Sequence, residues 1–185
     1  ATYLWQNDEN YRQINWDNLY EVNMNNYETI DSANGIAGNS VYGKRSRYIM
    51  SERVQDTKRY SLSSTYNNTI NDNIIVTAGL NIQHQETEYY RRVNDLLGGD
   101  FYVDLNQFAE LAYPDSFQVL QNNLDTPNRI LQVGDKYGYD YKATVNRRGV
   151  WIQPQFKFNK VDGFVGLLGL NDSTCLEGKF SYVTP

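Results

Sequence analysis

Between Tyr60 and Asn67 (Tyr-Ser-Leu-Ser-Ser-Thr-Tyr-Asn) the even positions are mostly apolar and the odd positions are Ser, Ser, Thr and Asn. This period of two predicts a β-strand with one apolar face. The polar run Asn67-Asn68-Thr69-Ile70-Asn71-Asp72 predicts a tight turn. The alternation then returns from Asn73 to Gln85. Ile74, Val76, Ala78, Leu80 and Ile82 share one face, and Thr77, Asn81, Gln83 and Gln85 the other, with Ile75 the exception. Together these segments predict a hairpin. A second hairpin repeats the plan. Val150, Ile152, Pro154, Phe156 and Phe158 alternate with Trp151, Gln153, Gln155 and Lys157. Asn159-Lys160-Val161-Asp162 is the predicted turn, and Gly163 to Leu168 starts the return strand. Pro154 cannot donate to a ladder, so a local bulge is expected there.

The connections between the hairpins are of another kind. Residues 8–44 and 90–137 are long, polar and rich in Tyr, Asn and Gly. Asp104 to Glu110 opens with a capping residue followed three positions later by Gln107, a capping-box-like helix start. Asp17 to Val22 is a second, weaker helical segment, and Asn34-Gly35 and Gly98-Gly99 mark tight turns. Short turns and long loops therefore alternate. With the strands side by side, the short turns fall on one edge of an antiparallel meander and the long loops on the other. A compact sandwich seldom carries two connections beyond about 12–15 residues. Outer-membrane barrels have this asymmetry as a rule. Tyr66, Phe156, Phe158 and Phe164 lie beside the short turns, where an interfacial aromatic girdle belongs. The fold class expected is all-β, resembling a slice of a transmembrane β-barrel, with its apolar face toward lipid and its polar face toward a wet lumen. A soluble all-β sandwich explains the same alternation by turning the apolar face into a core, and both readings stay open at this point.

Composition narrows the function classes. The chain has 185 residues, about the length of one domain. Tyrosine is abundant, at 16 residues, and 22 Asn with 11 Gln make a large uncharged polar surface. The net charge of -5 argues against a duplex-binding protein, so no nucleic-acid partner is expected. One cysteine, Cys175, excludes a disulfide scaffold and a cysteine-rich metal module. One histidine, His84, excludes a multi-histidine metal site. The longest uncharged stretch in the middle of the chain, Asn73 to Gln85, is too short and too polar for a spanning helix, which needs about 20 apolar residues. The first seven residues show neither the basic start nor the apolar run of a signal peptide.

Several separate motifs resemble one family. Trp16-Asp17-Asn18-Leu19-Tyr20, Asn25-Asn26-Tyr27-Glu28-Thr29, Arg45-Ser46-Arg47-Tyr48-Ile49 and Asp95-Leu96-Leu97-Gly98-Gly99-Asp100 look like the barrel of TonB-dependent outer-membrane receptors of Bacteroidetes-type bacteria. So do Asp104 to Glu110, Asp125-Thr126-Pro127-Asn128-Arg129 and Gly134 to Tyr141. The likeness covers residues 3 to about 167. It implies a segment of about five strands (residues 1–167) followed by an atypical tail (residues 168–185). It also implies a place in the bacterial outer membrane and a role in active uptake of a large or scarce nutrient. The implied partners are outer-membrane lipid, the rest of the barrel and its plug, the TonB complex through a segment not seen here, and a small-molecule, glycan or peptide ligand. The family's plug motifs are not visible, and its receptors have 22 strands. After Leu167 the family's expected long, charged and aromatic strand is replaced by Leu168 to Cys175. The alternative function is a soluble all-β carbohydrate- or ligand-binding module.

No phosphate loop, nucleophile elbow, zinc spacing or dinucleotide fingerprint is present, so the chain reads as a non-enzyme without cofactor. A glycoside hydrolase would need two converging carboxylates, with Asp104 and Glu110 the ones to test. Asp100, Asp104 and Glu110 as a Ca²⁺ cluster are explained more cheaply by capping and solvation. Arg91-Arg92 and Arg147-Arg148 offer contacts to an anionic ligand or to lipopolysaccharide phosphates, and are explained more cheaply as solvated loop charges. The better candidates for ligand contact are rings set among polar residues in the loops: Trp16, Tyr20, Tyr27, Tyr89, Tyr90, Phe101, Tyr102 and Tyr113. Such rings join a flat apolar face to a hydrogen-bonding tip.

Overall fold

A computed structural model describes residues 2–113 and 115–179. The chain runs α1 (Thr2–Asn7), α2 (Glu9–Arg12), α3 (Trp16–Asn25), β1 (Tyr27–Ile30), β2 (Val41–Lys44), β3 (Met50–Asn71), β4 (Ile74–Asp95), β5 (Tyr102–Val103), α4 (Gln107–Ala112), α5 (Phe117–Leu120), β6 (Ile130–Leu131), β7 (Lys136–Phe158), β8 (Val161–Phe164) and β9 (Leu167–Gly178). It is mostly antiparallel β with a few short helices, as the alternation predicts. Contacts divide it into a sheet unit (residues 55–89 and 141–178) and a loop unit (residues 1–54, 90–140 and 179–185).

In the sheet the order is β3-β4-β7-β8, and β9 also pairs with β7. β4 and β7 run antiparallel, since Asn73 meets Lys157 while His84 meets Asn146 and Tyr89 meets Tyr141. The strands are much longer than the alternating segments. β3 and β4 have 22 residues each, about 70 Å at roughly 3.3 Å per residue. The first turn is Asp72-Asn73 alone, held by the Asn73 N–H on the Asn71 side-chain oxygen at 2.9 Å. The predicted turn over 67–72 is thus corrected. Asn67 to Asn71 belong to β3, because strand pairing overrides the turn preference of asparagine.

The bulge expected at Pro154 is also absent. Gln155 faces Phe164 and Ile152 faces Leu167, so three residues separate the two positions on both strands. Val165 donates its N–H to the Pro154 carbonyl at 3.1 Å, and proline has no N–H to return the bond. β8 and β9 are therefore one return strand in one register, interrupted where a single ladder bond is missing. β9 pairs with β7 from Leu167 through Gly178, straight across the 167/168 boundary, and residues 180–185 of the tail lie outside the described residues.

The apolar face of the sheet is uncovered. The buried residues of the sheet unit are Gly79, Thr87 and Gly149, none of them a large hydrophobe. Val150 is 59% exposed and Leu167 66%, and Leu80, Ile82 and Ile152 are exposed too. Val76 and Phe156 are half-buried. The hydrophobic core lies instead in the loop unit, where Val93, Leu96, Tyr102, Leu131 and Tyr137 pack together with Ile49 against them.

Candidate functional site

The loop unit is fastened by three buried polar side chains. Asn23, on α3 and fully buried, donates to the carbonyls of Tyr48 (2.8 Å), Leu96 (3.0 Å) and Leu97 (3.1 Å). Its oxygen accepts the N–H groups of Arg47 and Tyr48. Arg45 follows β2 and is 6% exposed. It bonds Glu28 of β1 at 2.9 Å and both oxygens of Glu110 of α4 at 2.8 and 3.0 Å. Burial opposes the charge of Arg45, but the hydrogen bonds and charges of Glu110 and Glu28 outweigh it and raise its pKa. Asp104 is 1% exposed. It accepts from Asn122 and from the Gly138 N–H, both at 3.0 Å, and pairs with Arg129. Burial, the largest influence, still pushes the Asp104 carboxyl above its ordinary range.

Asp104 is therefore not the cap of α4. Asn106 is: its side-chain oxygen accepts the N–H groups of Phe108 and Ala109, so the helix starts two residues later than the capping-box reading. Asp100 accepts the Lys44 N–H, while Asp104 and Glu110 go to Arg129 and Arg45. The three carboxylates thus have three separate partners. Among the described residues no three His, Cys, Asp or Glu side chains are placed to hold a metal ion.

These fasteners frame a groove with two adjoining lobes. One, about 440 Å³, is lined by Arg47, Tyr48, Arg91, Gln107, Phe108, Asn122 and Tyr139 among others. The other, about 350 Å³, adds Arg45, Ser46, Glu110 and Leu111. Arg47, Tyr48, Tyr102 and Gln107 line both. Tyr102 meets Tyr137 edge-on at 5.7 Å. Burial first, then the neighbouring Tyr137 hydroxyl and the charge of Asp104, push the Tyr102 hydroxyl up to about 12. The Arg91 guanidinium lies 5.3 Å from the centre of the Tyr139 ring. A separate hollow of about 660 Å³ lies on the sheet, lined by Tyr66, Leu80, Val150, Ile152 and Leu167 and carrying no charged group.

Of the eight rings singled out in the sequence, Tyr102 lines the groove. Trp16 and Tyr20 sit partly exposed on α3. Tyr27 stacks on Tyr42 at 6.0 Å. Tyr89 stacks on Tyr141 at 5.0 Å in the sheet unit. The Lys136 ammonium lies 3.9 Å from the centre of the Tyr90 ring. Phe101 is buried, and Tyr113 is exposed at the end of α4. Arg47, Tyr48, Gln107 and Tyr139 fall within the family-like motifs and Arg91 within the Arg91-Arg92 pair, but none is among the eight rings, and it is the fold that brings them to one groove. His84 bonds Asn146 at 2.6 Å in the middle of β4 and β7. Cys175 is an exposed free thiol.

No helix among the described residues is long and apolar enough to cross a membrane, which leaves strand-based spanning untouched. Comparison with known proteins returned no matching family, no similar curated protein and no similar solved structure.

Proposed function

We propose that the chain is a barrel segment of a bacterial outer-membrane receptor of the TonB-dependent type, a part of an active-uptake system whose long loops capture a ligand. One observation carries the reading. Strands of 22 residues present an apolar face that nothing among the described residues covers. In water such a face invites association. In a bilayer it is solvated by acyl chains, while every backbone group is satisfied by a neighbouring strand. A spanning strand needs about 9–11 residues, so half of each strand is left to project beyond the membrane. The outer edges of β3 and β9 would pair with further strands of the same barrel. Lipid, the remaining barrel and plug, and the TonB complex are then the partners. The soluble-module alternative is disfavoured by the lack of any large buried hydrophobe in the sheet unit.

The test uses single cysteines in a Cys175→Ser background. Labels at residues 80 and 152 are compared with labels at 83 and 153, after reconstitution into phospholipid vesicles. Quenching by lipid-borne nitroxides should alternate, strong at 80 and 152 and weak at 83 and 153. Equal quenching on both faces, or a monomer soluble without detergent, would overturn the reading. Flanking gene sequence without plug or further barrel strands in frame would also count against it.

A further inference from the structure

The larger lobe of the groove is unusual in its charge. Two arginines line it and no carboxylate does, in a chain whose net charge is -5. Arg47 is already neutralised in a cluster where it and Arg45 share Glu28 and Glu110. Arg91 has no carboxylate partner among the described residues. Its neighbour Arg92, by contrast, is paired with Glu52. The half-buried Arg91 side chain places its guanidinium over the Tyr139 ring, 5.3 Å from its centre, a cation–π contact, and its N–H groups have no hydrogen-bond partner among the described residues. Two further groups are half-used. Gln107 donates its amide to the Arg47 carbonyl and Asn122 donates to Asp104, while the amide oxygens of both accept nothing among the described residues. Tyr48 offers a half-exposed ring beside them. The lobe thus presents a bidentate cation, two acceptors and a flat apolar ring, in a volume suited to a small ligand.

We propose that this lobe binds an acidic saccharide, with the carboxylate on Arg91, ring hydroxyls donating to Gln107 and Asn122, and the C–H face of the ring on Tyr48. The inference rests on the loops being a capture surface, not on the membrane placement of the strands. A neutral sugar would leave the arginine without its counter-charge.

The test is a binding titration of the full chain in detergent with a galacturonic acid trimer and the matching neutral galactose trimer. The acidic trimer should bind at least about tenfold more tightly, the range expected for a charge-assisted hydrogen-bonded pair. Salt should weaken it selectively. Arg91→Gln should abolish the preference, Arg91→Lys should keep part of it, and Arg92→Gln should leave it intact. Equal binding of the two trimers, or a preference that survives Arg91→Gln, overturns the acidic assignment and leaves the capture role standing. Binding of neither trimer overturns both for this groove. The salt dependence of the unmodified chain decides the matter even where a variant misfolds.

Discussion

Trp151 lies against Gly79 on the neighbouring strand, so close that a β-carbon at position 79 would overlap the indole. Both residues are at odd positions, on the hydrophilic face of the sheet. The ring covers a strand glycine that has no side chain of its own to pack. Gly79→Ala should therefore destabilise by about 1–3 kcal/mol, the range for overpacking. In a Trp151→Ala background the same change should be close to neutral. Denaturant unfolding in detergent, followed as a double-mutant cycle, measures the coupling. A coupling near zero would show that the indole moves aside freely.

Asn23 makes a second prediction. Its one side chain serves three carbonyls and two N–H groups from segments 47–48 and 96–97. Asn23→Leu takes this partner from the Tyr48 and Leu97 carbonyls and the two N–H groups, while the Leu96 carbonyl keeps the Ser46 hydroxyl and the Gly99 N–H, at an expected cost of about 2–4 kcal/mol. Asn23→Asp keeps the two N–H acceptors but turns an oxygen toward the three carbonyls. Its defect should grow as pH rises through the carboxyl pKa, whereas that of Asn23→Leu should not. Thermal unfolding at pH 5 and pH 8 separates the two.

These two sites also show what the sequence made legible. Alternation was readable at Tyr60–Tyr66, Ile74–Ile82 and Val150–Phe158, where one face is apolar and the other polar. It was silent at Met50–Arg59 and Glu86–Asp95, which are strand as well but carry polar or charged groups on both faces. Lys136–Asn146 does alternate, with Tyr137, Tyr139, Tyr141, Ala143 and Val145 at odd positions, but in the opposite phase to Val150–Phe158, so the 23-residue strand does not read as one run. The core escaped for a different reason. Val93, Leu96, Tyr102, Leu131 and Tyr137 come from four different strands and the turn after β4, and have no common period. The groove was illegible because the roles of Arg91 and Arg92 differ only through Glu52, 40 residues away in the chain.

Two acids of the loop unit, the half-buried Glu28 and the buried Asp104, should pull stability in opposite directions with pH. For Glu28, burial works against the charge, but the hydrogen bond and charge of Arg45 and the charge of Arg47 prevail and hold the carboxyl below its ordinary 4.5. A lowered folded value contributes stability above the unfolded pKa, lost as pH falls through the folded one. Asp104 is raised above its ordinary 3.8, chiefly by burial, so its contribution is present below that pH and lost as pH rises through the folded value. Glu28→Gln should flatten the loss of stability between about pH 5 and pH 3. Asp104→Asn should steepen it, whatever its effect at neutral pH. Urea midpoints across that window read both slopes, and parallel curves for the two variants would contradict the assigned directions.

Ile152 and Gln153 make the sharpest test of the lipid-facing side. Ile152 is seven residues from the turn at Asn159, about 23 Å along the strand at roughly 3.3 Å per residue. With a strand tilt of about 45° that is a depth of about 16 Å, near the middle of a hydrocarbon layer about 30 Å thick. An arginine facing lipid at that depth costs about 2–4 kcal/mol, and one facing a wet lumen costs little. Ile152→Arg should therefore impair folding into vesicles by that amount, while Gln153→Arg, one residue further along the same strand, should fold as the parent chain does. The readout is the folded fraction against urea in the presence of phospholipid. In a soluble sandwich the apolar face would be a core, and Ile152→Arg would unfold the chain equally with and without lipid. A defect confined to lipid, and confined to the even position, separates the membrane reading from that alternative.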